Sequence, residues 1–509
     1  MHSTMKSMLH DHPADALAFG APGRPWMDYG GLRRLSEEVV DALHAMGIGA
    51  GDRVAIVLPN GPEMAAAFVT IAQVATTAPL NPAYREEEYD FYLSDLNAKA
   101  LVVTEDDDGP AVAAATKAGM SLIRLTVPEE AAAGYFALQS EASGVAKTQA
   151  PDAEDVALIL HTSGTTSRPK IVPLSQANVA ASAQHVQASL ALSPADRCLN
   201  VMPLFHIHGL IAAVTASLAA GASVWCAPGF DALRFFGWMK DAQPTWYTAV
   251  PTMHQAILTR AGRNAEVIAQ GRLRFLRSSS ASLPAQVMRA LEEAFGAPVI
   301  EGYGMTEAAH QMASNPLGAG RQKPGSVGVP AGPMVRIAHE AEDHLMEGTG
   351  EVVISGPNVT PGYEGNAEAN AKSFFEAEGH RWFRTGDQGA FDAEGYLHLT
   401  GRLKEIINRG GEKISPLEVD GVLMDHPAVA QVVTFALPHP KLGEEVAAAV
   451  VLREGQEASA QDIRDFAATR MADFKVPRRV IVMEEIPKGA TGKMQRIGLA
   501  EKLGLVEGA

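Results

Sequence analysis

The sequence predicts an α/β fold: a large N-terminal domain of parallel-type β-sheets covered by helices, a β-rich subdomain, and a small α+β C-terminal domain. Three observations predict it. Over residues 15 to 150, short apolar runs alternate with helical stretches, the βαβα pattern of a parallel sheet. Turns rich in glycine, serine and threonine follow several later apolar runs, where an open α/β sheet builds its ligand site. Near Lys404 the chain changes character and becomes a module of about a hundred residues, a normal domain size. The boundary therefore divides 1–403 from 404–509.

In chain order, Leu32 to Met46 has helical spacing and stops at Gly47. Arg53 to Leu58 is a short apolar strand, turned by Pro59-Asn60-Gly61-Pro62. The alanine-rich stretch Glu63 to Thr76 reads as a helix, and Ala100 to Thr104 as a second strand. Polar residues 140 to 155 connect to a buried strand, Val156 to Leu160. A helix starts near Leu174 with Ser175 as its cap. Leu273 to Arg277 and Pro298 to Ile300 are further strands ending in polar turns. Residues 325 to 400 become glycine-rich and strand-like. After Lys404, strands at 405–414, 429–437 and 445–452 alternate with helices at 415–425 and 462–470.

Bulk properties exclude several classes. The 509 residues are 47% hydrophobic and 20% charged, which describes a globular chain with an ample core. A net charge of -17 does not suit a nucleic-acid or anionic-membrane binder. Two cysteines, Cys198 and Cys226, in apolar surroundings argue against a disulfide framework. There is no run of 18 apolar residues, no signal-peptide core at the N-terminus and no peroxisomal address at the C-terminus, so the expectation is a cytoplasmic protein.

The chemistry-bearing stretches lie on the predicted turns. Thr162-Ser163-Gly164-Thr165-Thr166-Ser167-Arg168-Pro169-Lys170 offers hydroxyls, a glycine and an ammonium. It is either a nest for phosphate oxygens or a polar loop, and it lacks the Walker spacing. His206 and His208 in Met202 to Gly209 are metal ligands or, more simply, pocket lining. In Glu301-Gly302-Tyr303-Gly304-Met305-Thr306-Glu307, Tyr303 offers a flat face for a base, Thr306 a hydroxyl and Glu307 a carboxylate for Mg²⁺. Asp387 ends a tight turn and could accept two ribose hydroxyls or only brace the turn. The loop Gly489 to Lys493 could be a plain solvated basic loop.

Taken in order, these motifs, with Gly401 to Lys413, resemble the adenylate-forming superfamily of acyl-CoA synthetases, luciferases and peptide-synthetase adenylation domains over about residues 15 to 500. Within it the chain is most similar to oxalate–CoA ligases, relatives of the 4-coumarate–CoA ligases. That closer match rests on His161 to Lys170, Thr245 to Thr252, Met305 to His310, Ser314 to Leu317 and Glu405 to Pro416. Ser167, Ile171 and Gly489-Ala490-Thr491 depart from the usual pattern.

The resemblance implies a two-step ligase using ATP, Mg²⁺ and CoA on a small carboxylic acid, as a monomer or homodimer with no nucleic-acid or membrane partner. It implies a mobile C-terminal domain that brings in Lys493 for the first step, with Thr306, Glu307 and His206 beside it. Thr162, Ser163, Gly164, Thr165, Thr166, Lys170, Gly302, Tyr303, Gly304, Asp387, Arg402 and Lys413 would hold the nucleotide, with Glu307 and Thr165 on the metal. Ser280, His310 and His208 would face the acid, and polar groups there favour oxalate. Lys404 would be the hinge, or a plain surface lysine, and Gly410 and Gly411 would line the CoA tunnel. Alternatives are a ligase for an aromatic or medium-chain acid, or a retired nucleotide-binding protein.

Overall fold

A computed structural model of the chain describes residues 2–162, 169–318, 320–489 and 492–506. Among the described residues the strands form four sheets. The first runs, in spatial order, Ala137–Gln139, Ser121–Thr126, Ala100–Thr104, Arg53–Ile56, Thr76–Pro79, Val156–Thr162 and Lys170–Ser175. Its inner pairs are parallel and its two edge pairs antiparallel. The second sheet centres on the parallel strands Ser223–Cys226, Arg197–Asn200, Trp246–Ala249, Phe275–Ser279 and Val299–Met305. His310–Ser314 pairs antiparallel with Val299–Met305, so the chain doubles back where the strand ends.

Helices cover both sheets, as the alternation predicts. The helix Pro62–Ile71 is buried except at Glu63 in its first turn, as a helix apolar on nearly every side must be. Its predicted extent is corrected here. It stops at Ile71, and Thr76–Pro79 is a fully buried parallel strand. An alanine-rich apolar stretch carries no period that separates a buried helix from a buried strand. The helix Gln176–Ser189 starts where the sequence placed it. The Ser175 side chain accepts from Asn178 N–H and the Asn178 side chain caps Ser175 in return.

The third sheet is antiparallel and contains Met334–Ala338, Gly350–Ser355, His380–Phe391 and Leu397–Arg402. The fourth holds Ile407–Arg409, Glu412–Ile414, Val429–His439, Gly443–Leu452 and Arg479–Val482, all after Lys404. This last module packs on the second sheet. Val419, Leu423 and Met424 belong to the same apolar cluster as Met253, Leu283 and Val287. Its tail is tied back by Arg496, which donates to Asp420 Oδ2 at 2.6 Å and to the Thr434 carbonyl at 2.9 Å. Lys493, three residues earlier, therefore belongs to this module. No helix among the described residues is long and apolar enough to cross a membrane.

Candidate active site

The polar turns do converge. Strands Phe275–Ser279 and Val299–Met305 are parallel neighbours, and their carboxyl ends carry Ser280 and the Tyr303-to-Glu307 stretch side by side. The hairpin Asp387↔Arg402 of the third sheet faces them. The cleft has two chemically different ends.

At one end, the Tyr303 hydroxyl donates to Asp387 Oδ2 at 2.5 Å, and Arg402 Nε lies 3.4 Å from Asp387 Oδ1. Burial raises the Asp387 carboxyl above the usual range, while Arg402 pulls it back. The Tyr303 ring is only 8% exposed, so besides offering a face it braces the carboxylate. The Tyr363 hydroxyl donates to Glu307 Oε1 at 2.8 Å, and Lys170 Nζ sits 4.0 Å above the Tyr363 ring. Burial pushes Glu307 up and Lys170 down, each opposed by the other's charge. Thr162 Oγ1 is buried and has no partner among the described residues. Such a hydroxyl needs an acceptor or donor that a ligand can supply. Ser163, Gly164, Thr165 and Thr166 lie outside the described residues. Thr306 opens the short turn Thr306–Ala308 beside Glu307.

At the other end, His208, His310, Ser280 and Arg277 form one cluster. His208 Nδ1 is 3.0 Å from Ser280 Oγ and its Nε2 is 2.6 Å from Thr248 Oγ1. The His208 and His310 rings stack at 5.1 Å. Arg277 is 0% exposed and donates to His310 Nε2 at 3.1 Å. Burial, then neighbouring charge, holds both histidines far below their usual range, so both are neutral. Ser280 and His310 have φ of +74° and +102°. Strained backbone of this kind concentrates where function fixes a geometry.

The two glycines of the Gly-Tyr-Gly turn, expected to bind nucleotide, have another structural reason to be glycine. A Cβ on Gly302 would sit 2.7 Å from Arg277 Nη2, and one on Gly304 only 1.9 Å from the His310 carbonyl oxygen. Both make room for the cluster of Arg277 and His310. Both ring nitrogens of His208 are engaged, by Ser280 and Thr248, as the pocket-lining alternative expects, and among the described residues no cluster of three or more ligating side chains gathers. His208 is buried in the pocket wall. His206 is half-buried, and burial with the nearby Lys493 charge pushes it down to about 3.

Lys493 is docked in the cleft. The Gly492 carbonyl accepts from Thr252 Oγ1 at 2.8 Å, at the start of helix Pro251–Ala261. The ammonium charge is felt at His206, His208, His310 and Asp387, which places it between the two ends. Burial, then Arg402, lowers Lys493 to about 8. Gly410 and Gly411 form an exposed hairpin turn, both with positive φ. Lys413, expected to hold nucleotide, bonds Glu340 Oε2 of the third sheet at 2.7 Å. It clasps the C-terminal module in this orientation. Lys404 is exposed, and its charge reaches Lys170.

Four site residues were given no role in the sequence reading: Tyr363, Arg277, Thr248 and Thr252. Thr248 and Thr252 lie in the stretch Thr245 to Thr252 that carries the closer resemblance, and Arg277 left a signal of its own. An arginine within an apolar strand of a buried sheet has to find partners inside.

Comparison with known proteins gives the following. Residues 8–364 match the family described as AMP-binding enzyme, and residues 418–493 match the AMP-binding enzyme C-terminal domain. The oxalate–CoA ligase of Arabidopsis thaliana is 46% identical over 95% of this chain and 94% of its own. The oxalate–CoA ligase of Saccharomyces cerevisiae is 40% identical over 88% and 86%. The crystal structure of ATP-bound MatB from Rhodopseudomonas palustris superposes with a TM-score of 0.87 at 28% identity, covering 99% of each chain.

Proposed function

The chain belongs to the AMP-binding enzyme family as an AMP-forming acid–thiol ligase, and we propose that the acid it joins to CoA is oxalate. The observation that carries this reading is the acyl end of the cleft. Its side chains Ser280, His208 and His310 are hydrogen-bonding groups around a buried cation. A fatty or aromatic acid would leave the Ser280 O–H and the Arg277 charge unanswered, whereas a second carboxylate satisfies both.

In the first step a substrate carboxylate oxygen attacks the α-phosphorus of ATP, and the bond to pyrophosphate breaks. Two anions must meet, so the protein supplies positive charge and donors fixed in advance. Lys493 lies where it can bridge the acid and the α-phosphate. Even with its affinity for the proton reduced to about 8, it is mostly charged at neutral pH. Thr162, Thr306 and Lys170, with Ser163, Gly164, Thr165 and Thr166, cradle the phosphates. Asp387 and Arg402 hold the ribose, and Tyr303 packs against the base while its hydroxyl fixes Asp387. The Glu307 carboxylate, a hard oxygen donor within reach of the Lys170 charge, would fit Mg²⁺, with Thr165 as second ligand. When bound, Mg²⁺ neutralises phosphate charge.

In the second step the CoA thiolate attacks the acyl carbon and the bond to AMP breaks. Lys493 must then leave. The domain 404–509 turns about Lys404 relative to 1–403, carrying Lys493 out and presenting Gly410 and Gly411 to pantetheine. Arg496 makes this one motion, because it locks the Lys493 tail onto the module that also bears those glycines.

The test is CoA-dependent pyrophosphate release across oxalate, malonate, acetate, 4-coumarate and octanoate. Oxalate should lead in kcat/KM. A tenfold lead for coumarate or octanoate, about 1.4 kcal/mol, overturns the assignment.

A further inference from the structure

Arg277 is a full charge with nowhere to discharge it. The residue is 0% exposed on the central strand Phe275–Ser279. Its recorded partners are His310 Nε2 at 3.1 Å, His208 Nε2 at 3.4 Å, Gln311 Oε1 at 3.4 Å and Thr248 Oγ1 at 3.5 Å. All four are neutral, and its Nε has no partner among the described residues. A buried charge without a counter-charge costs stability, and folds usually remove it. Here burial lowers the guanidinium only to about 10, so it stays charged at neutral pH.

The contacts also fix where the pocket's protons lie. A guanidinium has donors only, so the histidine nitrogens facing it must be lone pairs. Both Nε2 atoms face Arg277, so both rings carry their proton on Nδ1. Thr248 O–H then donates to His208 Nε2, and His208 Nδ1–H donates to Ser280 Oγ. With its oxygen engaged as an acceptor, Ser280 has its own O–H to give away. His310 Nδ1–H lies beside Gly304, 2.9 Å from where a Cβ there would stand.

We propose that Arg277 is the positioning and specificity-determining residue of the acyl end: it orients His208, His310 and, through them, Ser280 as donors, and supplies the uncompensated positive charge that selects dianionic acids. The inference rests on the oxalate reading and extends it. Arg277 does not touch the acid and takes no part in bond making.

The experiment uses the full-length enzyme and measures kcat and KM for ATP, oxalate, malonate and acetate in wild type, Arg277→Met and Arg277→Lys. Arg277→Met should raise KM for the preferred diacid by about 100-fold or more, leave KM for ATP within about twofold, and erase the preference over acetate. Arg277→Lys should recover part of the loss, since it restores charge but cannot face two imidazoles at once. Equal losses for diacid and acetate, or an ATP KM that rises in step, would show a merely structural arginine and overturn the proposal. Should the variants not fold, the wild type decides with oxamate, the monoamide of oxalate, nearly the same shape with one charge fewer. About 100-fold weaker competition by oxamate than by oxalate supports the proposal, and equal competition overturns it. If malonate wins over oxalate in the wild type, the oxalate reading falls and the role of Arg277 stands. If acetate wins, both fall.

Discussion

At the nucleotide end, each carboxylate already has a partner: Asp387 holds Tyr303 and Arg402, while Glu307 holds Tyr363 near Lys170. At the end proposed for the acid, no carboxylate among the described residues pairs with Arg277, and its four partners are neutral donors or acceptors. One end balances its own charge and must exchange partners as phosphates arrive. The other end is left electrically incomplete until an acid enters. That difference teaches where generality and selectivity reside. In the proposed reading, ATP chemistry is served by a charge-balanced site, whereas choice among acids is served by a buried one whose missing charge the substrate supplies.

The largest expected effect comes from the group that spans both ends. Lys493→Ala should slow adenylate formation about a thousandfold, because it removes the cation proposed to bridge two anions. Thioester formation from a supplied acyl-adenylate should be nearly unchanged. Measuring the two half-reactions separately checks this, and equal damage to both would contradict a lysine that leaves for the second step.

Next, Ser280→Ala should lower kcat/KM for oxalate by about 30- to 100-fold, since the donor proposed for the acid is lost and the Nδ1–H of the buried His208 is left unpaired. KM for ATP should hold. If ATP binding fell equally, the two ends would not be separable.

The third prediction concerns pH. His254 braces the acyl end, donating Nε2–H to the Arg277 carbonyl at 3.1 Å and lying 3.2 Å from the Tyr247 hydroxyl. Burial holds it at about 4, against 6.5 for an ordinary histidine. Between those values the unfolded chain takes up a proton that the folded chain refuses. Stability therefore falls as pH drops below 6.5, by about 2 kcal/mol at pH 5 from this group. Denaturant titrations at pH 7.5 and 5 should show the loss, and His254→Gln should reduce it. An unchanged slope would mean the acyl scaffold is not kept neutral.

The smallest effect belongs to the exposed clasp. Lys413→Ala removes the ion pair with Glu340, worth less than about 1 kcal/mol. It should shift the balance of the two half-reactions about twofold, and the shift should vanish in high salt. A tenfold loss in ATP affinity would instead restore Lys413 to the nucleotide.

How much of this was legible in the chain can be judged from particular residues. Ser175 as a helix cap, the strand Ala100–Thr104, and the order of turns from Thr162 to Lys493 were readable, because capping, alternation and turn chemistry act over a few residues. The strand Thr76–Pro79 was not, since burial on all sides erases periodicity. Neither was the contest at Gly302 and Gly304, where the space is taken by side chain and backbone from elsewhere in the fold.

The sequence by itself determined the kind of chemistry: which donors, carboxylates and lysines are present, and on which turns. Only the tertiary structure decided the wiring. Tyr303 reaches Asp387 across 84 residues of chain, and Arg277 reaches His208 across 69 and His310 across 33. A strand's period fixes which residues share a face. What that face meets depends on sheet order and crossovers, and these are settled by burial over the whole core.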